Sequence, residues 1–162
     1  MTEIDRLACR PDTLFAYGSL TFPEVLDAVL GRIPKHRLAS VAGWRAAALR
    51  DRPFPVLVPG SGSVRGMVLT GLDSTEWRIV DAFEAPSYDL RRLAIDGGGY
   101  TWSYVAGAAA TEWGVLESAW DRDGFAAHDL PDYLARCTAW RRRIPELPDP
   151  GIVSTDSARH AQ

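Results

Sequence analysis

The sequence predicts one α/β domain of the mixed α+β kind, and three observations predict it. The chain opens as strand, tight turn and helix; short strand-like pieces fill residues 37–71; a second helix, a hairpin and a long helix complete it. Its 162 residues suit one domain and are too few for two ordinary ones. A domain of this size buries roughly 70% of the surface that its unfolded chain exposes, so neither metal nor disulfide is needed to fold it. A hydrophobic fraction of 46% and a charged fraction of 24% are ordinary for a globular protein.

The elements follow from local chemistry. Leu14-Phe15-Ala16-Tyr17 is a short apolar run stopped by Gly18, as in a buried strand ending in a turn. Thr21, with Glu24 three residues on and Pro23 in the first turn, predicts a capping box. The helix runs through Val25, Leu26, Val29 and Leu30 to a stop at Gly31. Residues 41–44, 46–49, 55–58 and 64–69 read as four strands. Arg50-Asp51-Arg52-Pro53 and Pro59-Gly60-Ser61-Gly62-Ser63 are the breakers between them. Pro53 and Pro55 call for an edge strand or an ordered loop.

Asp73, with Glu76 after it, opens a second helix that should end near Glu84, because Pro86 disfavours further helix. Residues 91–95, the turn Gly97-Gly98-Gly99 and residues 100–105 read as a hairpin. Asp129 and Pro131 predict the start of the last helix. Leu130, Tyr133, Leu134, Cys137, Trp140 and Arg141 form its stripe. Arg141-Arg142-Arg143 at its C-terminus suits the helix dipole, without a nucleic-acid site. The domain is expected over residues 13–144, with flexible termini at 1–12 and 145–162.

Several function classes are disfavoured. A net charge of −3 leaves no electrostatic footprint for nucleic acid. No apolar run approaches the ~18 residues needed to span a bilayer, and residues 1–10 do not read as a signal peptide. A cytoplasmic setting is the expectation. Cys9 and Cys137 lack zinc-site spacing, and Cys137 is expected as a buried free thiol. The three histidines show no metal spacing, and no Gly-Lys-Ser or Gly-Lys-Thr follows Gly18 as in a phosphate-binding loop. Ser19 lies in Gly-Ser-Leu, which is not the nucleophile elbow of the hydrolases.

Two segments could carry chemistry. On the helix wheel Glu84 lies within about 20° of Trp77, with Val80 between, so a carboxylate shares an apolar stripe. Burial and the negative end of the helix dipole would both raise its pKa toward that of a general base. The alternative is that Glu84 frays outward and pairs with Arg91 or Arg92. In Tyr17-Gly18-Ser19-Leu20, a strand turning sharply into a helix leaves amide N–H groups unpaired, a cradle for a carboxylate or an oxyanion. An ordinary strand-to-helix turn is the alternative there.

Taken together, the segments resemble a known family. Phe15-Ala16-Tyr17-Gly18-Ser19-Leu20 followed by Val25-Leu26 resembles the opening of the γ-glutamyl cyclotransferase-like, or AIG2-like, proteins. Val80-Asp81-Ala82-Phe83-Glu84, then Tyr88 and Arg91-Arg92, is similar to that family's second signature. Pro55-Val56-Leu57-Val58-Pro59 with Val64-Arg65-Gly66, and Trp102-Ser103-Tyr104-Val105, resemble the segments around it. The likeness covers about residues 13–143. Ala85 departs from the glycine usual after this glutamate.

The resemblance implies a small, mixed and mostly antiparallel β-barrel flanked by helices. It also implies cyclisation of a γ-glutamyl group to 5-oxoproline, with release of an amine or amino acid. Glu84 would be the acid/base and Tyr17, Gly18, Ser19 and Leu20 the holders of the glutamyl end, with Tyr17 and Tyr88 hydroxyls as pocket donors unless both rings are simply core. No metal, cofactor or enzyme nucleophile is required, and the partner is a small γ-glutamyl substrate. A family member that binds without turnover is the rival reading. The leaving group and the choice between monomer and homodimer stay open.

Overall fold

The computed structural model describes residues 6–84 and 86–144. Among these residues six strands form one sheet in the order β4-β5-β1-β3-β2-β6. They are β1 (Leu14–Ala16), β2 (Lys35–Leu49), β3 (Arg52–Thr70), β4 (Tyr88–Ala94), β5 (Tyr100–Ala106) and β6 (Val115–Ala119). Among the described residues only β1 and β5 pair in parallel, at Leu14 and Trp102; every other neighbouring pair is antiparallel. The sheet curls into a half-barrel, so that the chain beyond β4 meets β2: Asp96 N–H donates to Ser40 O at 2.9 Å, and Asp96 Oδ1 accepts Ala42 N–H at 3.1 Å.

Side chains alternate across the sheet, as a strand's period of two requires. Phe15, Val68, Val41, Leu57, Val64 and Val105 fill the inside of the curl with Leu93 and Ile95. Leu14, Ala16, Met67 and Leu69 point the other way, into the larger core beneath the helices. That core takes Val25, Leu26 and Val29 of α1 (Pro23–Leu30), Trp77, Ile79 and Val80 of α2 (Ser74–Glu84), and helix residues Tyr133 and Cys137.

The four strands expected in residues 41–69 are two long ones. Pro59–Ser63, read as a breaker, lies inside β3, with Pro59 paired to Trp44 and Ser63 to Ala42 of β2. The partner strand supplies what the local sequence lacks. Gly60, Ser61 and Gly62 face the single Gly43, whose φ of 85° is open to glycine, and this bulge bends both strands. Arg50-Asp51 is the turn between β2 and β3, as its breaker character implied. Pro53 and Pro55 sit where β3 has no second strand partner among the described residues, since β1 pairs with Met67–Leu69.

Both ends of α2 fall as predicted: Asp73 Oδ1 accepts Glu76 N–H at 2.8 Å, and Glu76 Oε1 accepts Asp73 N–H at 3.1 Å. Two other caps do not form. Thr21 belongs to a 3₁₀ turn (Ser19–Thr21) and its hydroxyl donates to Gly18 O at 2.6 Å, so α1 starts at Pro23 without a side-chain cap. Asp129 caps nothing, because the last helix begins earlier. Asp121 Oδ1 accepts Gly124 N–H at 3.0 Å. Then α4 (Arg122–Gly124), after the short α3 (Ala108–Glu112), runs through a π turn (Phe125–Asp129) into α5 (Leu130–Arg143). The wider π turn lets Pro131 continue the helix despite its missing N–H.

Residues 6–12, expected as part of a loose leader, carry a 3₁₀ turn at Arg6–Cys9 that Arg6 ties to the domain. The expectations for residues 1–5 and 145–162, and for Ala85, lie outside the described residues.

Candidate active site

The fold brings the two sequence segments to one cavity of about 370 Å³. Strand β1 delivers Tyr17–Leu20 to it, the C-terminal end of α2 delivers Glu84, the start of β4 delivers Tyr88, and α5 closes one side with Tyr133 and Cys137.

Gly18 is fixed by a close approach: a Cβ there would meet Pro55 Cγ at 2.9 Å. This lets the turn lie flat against β3 while Ser19–Thr21 winds into its 3₁₀ turn. The turn's bonds are made by later amides, Thr21 N–H to Gly18 O at 3.0 Å and Phe22 N–H to Ser19 O at 3.1 Å. The N–H groups of Gly18, Ser19 and Leu20 donate to no described residue. Beneath them the buried Ser19 hydroxyl pairs with Tyr133 Oη at 2.9 Å.

Glu84 is half-buried and faces the cavity. Its stripe partners Trp77 and Val80 are buried, as the helix wheel implied. Arg91 and Arg92 do not pair with it: Arg92 stacks over Tyr100 at 4.1 Å and Arg91 faces Trp44 at 5.7 Å. No described residue donates a hydrogen bond to the Glu84 carboxylate; the described ion pairs are Arg6–Asp81 and Arg32–Glu76. Desolvation by the surrounding protein pushes its pKa up to about 8, the Arg6 guanidinium opposes this, and the Asp81 charge adds to it. A carboxylic acid so placed gives and takes protons near neutral pH.

The two tyrosines hold other posts than those expected of them. Their rings line the cavity, but Tyr17 Oη donates to Tyr104 O at 2.6 Å and Tyr88 Oη donates to Pro55 O at 2.9 Å. Tyr17 Oη also accepts Leu57 N–H at 3.2 Å. Both hydroxyls serve backbone groups of β3 that no second strand pairs, and buried backbone groups must be paired. Neither has a proton left for a ligand. Burial raises both hydroxyl pKa values, and the Glu84 charge raises them further.

Of the other site neighbours, Arg6 carried no readable signal, while Asp81 and Tyr104 stood in the motif segments without a role of their own. Arg6 reaches Asp81 Oδ1 through Nε at 3.1 Å and Nη2 at 2.9 Å, and Tyr88 O through Nη1 at 2.6 Å. Tyr104 Oη donates to the same Asp81 oxygen at 2.9 Å. Tyr133, Cys137 and Trp140 were visible as a helical stripe, but a core and a cavity wall read alike in sequence. Burial pushes the Cys137 thiol up to about 11, so it is inert at neutral pH.

Among the described residues no three His, Cys, Asp or Glu side chains are grouped to hold a metal ion, and no helix is long and apolar enough to cross a membrane.

The arrangement has relatives. Residues 14–122 match the profile of the family described as gamma-glutamyl cyclotransferase, AIG2-like. The chain is 30% identical to the AIG2-like protein C of Arabidopsis thaliana over 145 residues, which span 82% of this chain and 81% of that one. It is 36% identical to AIG2-like protein A of the same plant over 93 residues, 54% of this chain and 56% of the other. A solution structure of an Arabidopsis thaliana protein superposes with a TM-score of 0.58 at 22% identity, covering 88% of this chain and 99% of that one, a likeness of fold. With its profile matched across most of the chain and its fold shared, the protein belongs to the AIG2-like gamma-glutamyl cyclotransferase family.

Proposed function

We propose that this protein is a cyclotransferase that closes a γ-glutamyl group into 5-oxoproline, with Glu84 as the acid/base. One observation carries the reading. A carboxyl with its pKa pushed up to about 8 shares a cavity with the amide N–H groups of Gly18–Leu20, and neither the carboxyl nor those N–H groups hydrogen-bond to any described residue.

The chemistry needs little more than those parts. The substrate's α-amine attacks its own γ-carbonyl; the new C–N bond closes a five-membered ring and the old amide C–N bond breaks. Two protons leave the α-ammonium and two arrive on the expelled amine, so charge balances and no water is consumed. A base of pKa about 8 lies much closer to an α-ammonium than an ordinary carboxylate does, so taking its proton costs less. Glu84 takes the first proton and returns it to the leaving nitrogen. The Gly18, Ser19 and Leu20 amides hold the glutamyl carboxylate or the developing oxyanion. Folding the substrate so that amine and carbonyl meet supplies much of the rest.

The test is 5-oxoproline release from a panel of γ-glutamyl compounds by wild type and Glu84→Gln. The variant should lose about 10²–10⁴-fold in kcat. Full activity in the variant would remove Glu84 from the mechanism, and no product from the wild type with any compound would leave a binding protein.

A further inference from the structure

The cavity has two ends of different character, and the wider one bears on what is released. Its deep lining is buried: Ser19, Leu20, Tyr133 and Cys137. Its outer lining is half-buried aromatic rings, with Phe83 edge-on to Trp140 at 5.1 Å and Phe54 edge-on to Trp113 at 6.0 Å. Exposed Arg136 and Arg143 stand at the mouth, bracketing Trp140 along α5. Arg52 caps the Trp113 ring, its guanidinium 3.7 Å from the ring centre. Among the described residues that line the cavity, Glu84 is the sole acid. Arg136 bonds to no described acceptor, and Arg143 makes only a long 3.4 Å bond to Ala139 O. The volume of about 370 Å³ is that of roughly a dozen waters at ~30 Å³ each, more than a glutamyl group fills.

Resting on the proposed cyclisation, we infer that the leaving group is an amino acid with a large apolar or aromatic side chain, whose carboxylate Arg136 and Arg143 read at the mouth. The glutamyl end goes deep, because the unpaired amides and Glu84 are there. The scissile nitrogen must lie beside Glu84, so the rest of the substrate points outward past Phe83. It then meets flat apolar rings, which reward a large side chain by area buried. Beyond them it meets guanidinium groups, which favour a carboxylate and repel a polyamine or a lysine-like cation. A small or cationic leaving group would leave the rings wet or set like charges together.

A matched series tests this with the full chain: γ-glutamyl-phenylalanine, γ-glutamyl-phenethylamine, γ-glutamyl-alanine and γ-glutamyl-putrescine. The phenylalanine compound should exceed phenethylamine in kcat/KM at least about tenfold, through the carboxylate, and alanine by a similar factor, through the ring. The putrescine compound should be the poorest. In the Arg136→Ala/Arg143→Ala protein the ratio of phenylalanine to phenethylamine should fall toward one, chiefly through KM, and added salt should lower it in the wild type. A wild-type ratio near one, or putrescine as the best leaving group, overturns the inference while leaving cyclisation intact. If none of the four is turned over, cyclisation fails for this series, and the same ratios are then read as dissociation constants by calorimetry. A missing preference for the phenylalanine compound there overturns the inference too.

Discussion

Glu76 and Glu84 stand two turns apart on α2, and the helix treats them oppositely. Glu76, at the N-terminal end, is buried and fully engaged. It accepts Asp73 N–H and both arms of Arg32, at 2.7 Å from Nε and 2.6 Å from Nη2. The Arg32 hydrogen bond holds its pKa below the usual carboxylate range despite the burial. Glu84, at the C-terminal end, meets the negative pole of the same helix and has no donor among the described residues. Burial takes its pKa up to about 8. Same residue and same helix, so the difference lies in what surrounds each end. A carboxylate that is satisfied holds structure, and one left unsatisfied in a cavity is available for chemistry.

The largest effect that sharpens the contrast is in the pH–rate profile. Below about pH 8, kcat/KM should fall about tenfold per unit, because the proposed mechanism needs Glu84 ionised to accept a proton. Arg6 lowers the Glu84 pKa, so Arg6→Met should move this limb to higher pH. Arg6→Met with an unmoved limb would mean that the two charges do not communicate. A limb that follows an ordinary carboxylate would deny the raised pKa altogether.

The next effect is on stability, and its sign follows from linkage. The Glu84 pKa is higher folded than unfolded, so the native state binds the proton more tightly. Its contribution is fully present below about pH 4.5 and is lost as pH rises through about 8. Glu84→Gln stays neutral throughout. The variant should match wild type in acid and exceed it above pH 8 by about 1–3 kcal/mol, with the shift discounted for the carboxyl's access to the cavity. Urea melts at pH 4.5 and pH 8.5 measure this. A variant that is inactive yet more stable is the mark of a functional carboxylate.

Glu76→Gln should do the reverse. Its folded pKa is depressed, so its contribution is present above about pH 4.5 and lost on further acidification. Losing the charged cap should cost about 1–2 kcal/mol at pH 7, with kcat per folded molecule unchanged. The two melting series together would show opposite pH trends from one helix.

Much of this was legible because it is local. The Asp73–Glu76 box, the apolar stripe that carries Glu84, and the turn at Gly18 are each written within a few residues. What was not legible is long-range. The Pro59–Ser63 breakers become strand only because β2 runs alongside. Asp129 looked like a cap because its neighbours hide a π turn and an earlier cap at Asp121. Arg6 lies 75 residues from its partner Asp81, with nothing local to mark it. The hydroxyls of Tyr17 and Tyr88 were read as free because the unpaired edge of β3 that claims them appears only when the sheet is assembled.

That last point sets the smallest expected effect. If the Tyr17 hydroxyl serves Tyr104 O and Leu57 N–H, Tyr17→Phe removes a donor and an acceptor from buried backbone groups. The cost should be about 1–3 kcal/mol in stability, with kcat within a few-fold of wild type, because the ring that lines the cavity stays. A thermal melt and a rate measurement on one sample separate the two roles. A near-normal melt with a loss in kcat approaching that of Glu84→Gln would show that the hydroxyl turns to the substrate during reaction. The β3 backbone would then have another partner in that state, and the division of labour between structural and chemical groups would have to be redrawn around Tyr17.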